Sequence, residues 1–315
     1  MLVTTTQALW YIDLPSRTAW QIERGNGVYY GIACSRDSIF VAARRAEYGS
    51  DRKVQKGVIQ CYNNELELVR TLEPPFPLRD LHQIDWFDNK LWVCATYDDL
   101  VAVWDGRRWK RWHPLSAGEE SDERNLFHLN SIFAHDGEIL VVGNKLQSGT
   151  IYRFDRQSRG EIGRIQLGKG AHNVWMEGDD HFTLSSVSGE VRSSNGWSRY
   201  LGNFPRGFAF DSSRRYVGIS EVNSRTLRAQ SHSSILALDR HWDLLEIVSL
   251  QGTGMIHDLR APMLHDRAQA EDEPFRLVSG SWERFPSKEL TAGRVFTRPW
   301  KQWLNSCKRK IFGHR

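Results

Sequence analysis

Four histidines recur at similar places in a chain of 315 residues that holds 11 in all. They are His82 in "LHQIDW", His128 in "FHLNSIF", His172 in "AHNVWM" and His257 in "MIHDLR". Neutral imidazoles that converge suit a divalent transition metal, Zn, Fe, Mn, Cu or Ni, with one position left open. Such an ion would activate water or polarise a carbonyl or carboxylate. A ligating imidazole needs an acceptor on its second nitrogen, and Asp80, Asp85, Asp258 and Glu221 are candidates for that role. Arg206 and Arg260 offer forks for an anionic group on a substrate. Tyr30 holds the matching place in an earlier segment and is a candidate acid, base or lid. Tyr30, Arg206, Glu221 and Arg260 are therefore the candidate catalytic set, and the four histidines the candidate metal ligands. The same residues also fit a metal-free polar ligand site, or histidines that only border a wet channel. His135 and His181 fall in expected hairpin turns. His113, His232, His241 and His265 fall in outer strands or loops, so surface placement is expected for all six.

The elements that would position these side chains repeat. Five segments begin alike: "YYGIACSRDSIFVAA", "LHQIDWFDNKLWVCA", "FHLNSIFAHDGEILVVG", "AHNVWMEGDDHFTLSS" and "PRGFAFDSSRRYVGIS". Each reads as two strands of period two around a polar turn. The turns "FDNK", "HDGE" and "DSSR" supply residues that tolerate tight hairpin dihedrals. A second strand pair follows, as in "LVAVWDGRRWKRWH" and "SSILALDRHWDLLEIVSL", making four strands per unit. The starts fall near 29, 81, 127, 171, 205 and 255, an average of about 45 residues, the period of a propeller blade. The sixth unit lacks its later strands after "MIHDLRAPM". The segment "ALWYIDLPSRTAWQIE" at the other end of the chain supplies them, closing the ring and protecting its edges. The expected fold is thus all-β, a six-bladed β-propeller over 1–290, with the last blade closed by N-terminal strands. In it the first strand of each blade lines the axis and carries the candidate residues.

Three segments, "HLNSIFAHDGEILVVG", "GAHNVW" and "FPRGFAFDSSRRYVGISEVNSR", resemble an uncharacterised family of bacterial propeller proteins. Its pattern is His-Leu-Asn-Gly, then His-Ser/Asn before a Trp, then Arg-Gly-Leu-Ala-Phe and Val-Gly-Leu-Ser. The resemblance spans roughly residues 80 to 260. This chain departs from it with Ser131 in place of Gly, and with "GAHNVW" in place of Pro-His-Ser-Pro-x-Trp. The resemblance implies a propeller and supplies no reaction. Six-bladed lactonases of the gluconolactonase type share the architecture and hold a divalent metal on the axis. Their Glu, Asn and Asp ligands do not map here, so that likeness is one of fold.

Composition narrows the function. Hydrophobic residues are 40% and charged residues 25%, as in ordinary globular chains. No apolar run approaches the roughly 20 residues that span a bilayer, and no secretory signal is evident. Cys34, Cys61, Cys94 and Cys307 form no CxxC pair, so reduced thiols and a cytoplasmic location are expected. No phosphate-cradling glycine motif and no G-x-S-x-G elbow occurs. The net charge of +4 belongs to the last 18 residues, which hold six Lys/Arg and no acid. The slightly acidic body argues against nucleic acid as a partner. Within the expected tail, 291–315, Trp300, Trp303, Leu304, Cys307 and Ile311 form a helical stripe behind Pro299. That stripe suits packing on the body or on a partner protein, or contact with an anionic membrane surface through residues 298–315.

Two functions remain open from sequence. One is a metal-dependent lyase or hydrolase acting on an anionic or carbohydrate-like small molecule. The other is a non-catalytic propeller that binds a partner protein or glycan in surface-polysaccharide or secondary-metabolite assembly.

Overall fold

Short strands and polar turns alternate along the chain and pair into six antiparallel sheets. The computed structural model describes residues 1–45, 51–115, 125–262, 266, 268 and 275–293. Tight turns are set by local chemistry. Phe87 pairs with Lys90 across Asp88 and Asn89, at φ 54° and 53°. His135 pairs with Glu138 across Asp136 and Gly137, at 42° and 81°. Both are two-residue connections of the kind that matches strand twist.

The sheets are the blades of a six-bladed propeller. Blade I holds Val28–Cys34, Ile39–Arg44, Gly57–Tyr62 and Leu68–Leu72. Blade II holds Leu81–Phe87, Lys90–Ala95, Leu100–Trp104 and Trp109–Trp112; blade III holds Ser131–His135, Glu138–Lys145, Ser148–Asp155 and Glu161–Lys169. Blade IV holds Ala171–Glu177, Asp180–Ser185, Glu190–Ser193 and Ser198–Tyr200; blade V holds Pro205–Phe210, Arg214–Ser220, Ser233–Asp239 and Leu244–Leu250. Blade VI begins with Ile256–Arg260 and is completed by Leu2–Thr5, Ala8–Asp13 and Thr18–Arg24. Leu2, Val3 and Thr4 pair with Arg260, Leu259 and Asp258, so the chain ends close the ring as the sequence suggests.

Successive inner strands touch from blade I round to blade VI and back to I. The inner strand of blade I is buried along its whole length, whereas its outer strand, Leu68–Leu72, is almost wholly exposed. Hence hydrophobic alternation is visible only toward the rim, as in Glu161–Lys169 of blade III. Aromatic rings fill the wedges between blades. Trp175 of blade IV stacks on Phe208 of blade V at 3.9 Å, and Phe40 of blade I on Trp86 of blade II at 5.3 Å.

Two additions lie outside the four-strand plan. Ser287–Glu289 adds a fifth strand to blade VI, and Thr291–Ala292 adds one to blade V. The second begins the stretch expected to be a tail, so the boundary at 290 is not where sheet pairing stops. The expected helical stripe, Cys307 and His265 lie outside the described residues.

Candidate functional site

Ladder register, rather than sequence spacing, fixes which residues are equivalent. In blade II, Leu81 faces Ala95 and Ile84 faces Val93, leaving His82 and Gln83 in a bulge. A two-residue irregularity also falls at Tyr30 and Gly31 and at Arg206 and Gly207, and a one-residue irregularity at Asn173 and at His257. A bulge re-aims a side chain, and one recurs near the start of the inner strand in every blade but the third. The resulting ring is Tyr30, His82, Asn130, His172, Arg206 and His257. His128 is not a member. It precedes the blade III strand by three residues at φ 54°, and Asn130 holds its place. His128 still reaches the group, because the Asp99 carboxylate accepts from the backbone N–H groups of Leu126, Phe127 and His128 and fixes that loop.

The rings form a connected group. His82 lies 6.0 Å from His172, nearly parallel at 13°, and 5.6 Å edge-on from His128. Tyr30 lies 5.5 Å from His82 and 4.7 Å from His257. Arg206 packs its guanidinium over Tyr30 at 5.8 Å. Tyr30, Arg206, His82 and His257 are all under 8% exposed.

A second ring orients the first. At the end of each second strand stand Arg44, Thr96, Asn144, Ser186, Ser220 and Thr6. Thr96 Oγ1 donates to Leu129 O of the next blade at 2.5 Å, and lies 2.9 Å from His82 Nδ1. The same Nδ1 is 2.9 Å from Asp80 O. A carbonyl only accepts, so His82 Nδ1 carries the proton and Nε2 the lone pair. Blade IV repeats the device: His172 Nδ1 meets Gly170 O and Ser186 Oγ at 2.9 Å each, and Ser186 donates to Pro205 O. Neither Nε2 makes a hydrogen bond among the described residues, and neither is sealed from solvent. His257 sits beside Thr6 the other way round, with Nε2 at 3.4 Å from its hydroxyl.

Burial holds the imidazoles of His82, His172 and His257 well below the usual histidine value, and the Arg206 charge pushes them further the same way. All three are neutral bases beside a cation. Under them a belt of hydrogen bonds crosses the axis. Asn173 receives Gly207 N at 2.9 Å and donates to Asp258, which also receives Ile32 N at 3.0 Å.

The chain is a propeller by structural comparison as well. Its fold matches a chain of the nidogen/laminin complex (TM-score 0.58, 10% identity, covering 82% of this chain and 96% of that one). It also matches the β-propeller domain of Cps50 (Swd1) from Myceliophteria thermophila (0.50, 10% identity, 82% and 89%) and a luciferin-regenerating enzyme (0.50, 13% identity, 86% and 93%). At these identities the likeness is one of fold. No protein-family model matches the chain, and no curated protein matches it by sequence.

Several expectations change on this geometry. Among the described residues, no group of three or more His, Cys, Asp or Glu is arranged to hold a metal ion. The Tyr30 ring lies against both His82 and His257, and Arg206 puts a positive charge beside them. Arg260 is wholly buried and donates to Phe208 O and Leu259 O; its charged neighbours are Asp258, Asp266 and Asp85. Strand alternation carries it to the far side of the belt. Glu221 accepts from His232 N and ties off a blade V loop, so it does not join the ring. The acceptor for His82 is the Asp80 carbonyl, not a carboxylate. Asp85 caps Trp86 N, and Asp258 serves the belt. His181 is buried at 8% exposure, although a turn was expected.

Sequence reasoning missed Thr96, Ser186, Thr6 and Arg44. Their signal is the last residue of "VCAT", "TLSS", "VTTT" and "VAAR", each ending an apolar second strand. It also missed Arg228, whose guanidinium lies over Phe204 at 5.7 Å next to His172.

Proposed function

We propose that the mouth of the propeller binds an anionic small molecule and moves a proton on it, in lyase or hydrolase chemistry that needs no metal. The observation that carries this reading is the paired orientation of His82 and His172. Each has Nδ1–H held by a carbonyl and a hydroxyl, which presents an Nε2 lone pair to the axis. Arg206 supplies the positive charge that seats a carboxylate or phosphate. Lowered basicity keeps the imidazoles unprotonated at neutral pH, so they accept a proton from a carbon or water next to the seated anion. Tyr30, whose ring lies against both His82 and His257, then returns a proton to a leaving oxygen. The low polarity of the buried walls strengthens these charges relative to water.

The test is turnover of carboxylate- and phosphate-bearing compounds followed by mass. A lyase removes a neutral fragment, and a hydrolase adds water. The His82→Asn and His172→Asn variants are expected to lose turnover by about 100-fold or more while still binding the anion. Undiminished turnover in both would refute the acid–base assignment. Anion binding with no turnover in any form would instead favour the binding-module reading.

A further inference from the structure

The belt beneath the rings leaves one of its own side chains unused. The residue after each ring member forms that layer: Gly31, Gln83, Ser131, Asn173, Gly207 and Asp258. Three of its polar side chains accept a backbone N–H of the following blade. Ser131 Oγ accepts from Asn173 N at 2.9 Å, Asn173 Oδ1 from Gly207 N at 2.9 Å, and Asp258 Oδ2 from Ile32 N at 3.0 Å. Blade II departs from this pattern. There the backbone makes the link, Gln83 N donating to Asn130 O of blade III at 3.1 Å, and the carboxamide is left over. Gln83 is 6% exposed, and its Oε1 is sealed from solvent and meets no donor among the described residues. The Nε2 of the same amide is not sealed.

Gln83 shares its bulge with His82, so the amide belongs to the same axial construction as that imidazole. Its neighbour in blade I is Gly31, which has no side chain, and a Cβ there would meet the Gln83 Cα at 2.8 Å. Blade VI shows the same packing put to use: Gly207 presses on the Asp258 backbone, and the Asp258 side chain reaches on to blade I. A buried amide oxygen without a donor costs about 1–3 kcal/mol, and the fold's own hydrogen bonds do not recover it.

We infer that Gln83 sets specificity by taking a hydroxyl of the ligand, which is then a hydroxylated anion such as a short hydroxy acid. This rests on the proposed anion-binding function and names its substrate class. The open side of the amide donates through Nε2, and a turn about its last bond brings Oε1 there to accept instead; a hydroxyl answers either. The proposed chemistry ends with a proton passing to a leaving oxygen, and a hydroxy acid carries such an oxygen.

The experiment is calorimetric titration of the full chain with propionate, lactate, glycerate and pyruvate, each against wild type, Gln83→Met and Arg206→Gln, with urea midpoints for all three proteins. Lactate or glycerate is expected to bind wild type about 5-fold more tightly than propionate, the worth of one neutral hydrogen bond. Gln83→Met keeps the bulk of the side chain without its amide. It should erase that preference, leave propionate affinity unchanged and not lower the urea midpoint, because it removes an unpaired buried oxygen. In the unaltered protein, the side-chain NH2 resonances of Gln83 should shift with lactate and hold still with propionate. Equal affinity of wild type for propionate and both hydroxy acids overturns the inference, as do equal resonance shifts. A preference that survives Gln83→Met overturns it too, and a lowered urea midpoint beside that surviving preference assigns Gln83 to the fold alone. Pyruvate binding as tightly as the hydroxy acids overturns the hydroxyl assignment. If propionate does not bind, or Arg206→Gln leaves its binding unchanged, the underlying function falls as well.

Discussion

His82 and His172 face each other across the propeller mouth as nearly parallel rings, 6.0 Å apart, each with its Nδ1 proton given to its own blade. They stand two blades apart yet share one construction: a carbonyl two residues back and a hydroxyl at the end of the second strand. The ring nitrogen left without a hydrogen bond is therefore chosen by residues behind each imidazole. Thr96→Val removes the hydroxyl of that pair in blade II and its bond to Leu129. It should cost about 1 kcal/mol of stability. It should also mix the His82 tautomers, read as a change in the nitrogen chemical shifts of that ring.

The lowered basicity of His82, His172 and His257 fixes how stability depends on acid. The folded rings resist protonation, while the unfolded chain takes up protons near pH 6.5. Stability is therefore full above that value and falls as the pH drops below it, toward the folded-state values. Each ring contributes at most about 1.4 kcal/mol per pH unit. Urea unfolding at pH 7.5 and 5.5 measures the slope, which His82→Asn should flatten. An unchanged slope in that variant would mean that His82 is not held neutral.

Arg206→Gln removes the charge that, after burial, most depresses the basicity of all three rings. Their midpoints should rise toward 6.5 in an NMR titration. Anion affinity should fall by about 10- to 150-fold, the worth of one charge-assisted hydrogen bond.

How far was this legible beforehand? Blade number, blade starts and ring closure were readable because turn residues and a period near 45 mark them. His82, His172, Arg206 and His257 were found because each opens an inner strand. The placement of His128 and Arg260 was not readable. A bulge and a loop decide those two, and a one-residue difference in register sends a side chain to the other side of the axis. Thr96 and Ser186 escaped notice because a lone hydroxyl after an apolar strand looks like a turn residue until its two partners are seen.

Gly31 and Gly207 let neighbouring inner strands approach. A Cβ on Gly31 would strike the backbone of Gln83 and Ile84, and one on Gly207 the backbone of Asp258. Gly31→Ala should push blades I and II apart between Tyr30 and His82, lowering both the urea midpoint and anion affinity. Gly106→Ala serves as a control for affinity, since that glycine has open space around it. An equal loss of affinity in both variants would count against a packing role specific to the axis.

Elemental analysis of the purified protein bears on the metal. A stoichiometric transition metal that is lost on His82→Asn would overturn metal-free chemistry; trace amounts unaffected by that change are expected.

The closure of blade VI has a temporal consequence. Thr4 bonds to the Asp258 backbone 254 residues away and to the Tyr30 carbonyl in blade I. His257 thus takes its place only when nearly the whole propeller has been synthesised and its first strand has waited for a mate. A growing polypeptide on the ribosome carries Tyr30, His82 and His172 long before it has the strand that completes their circle. An unfinished chain therefore cannot hold the complete axial ring.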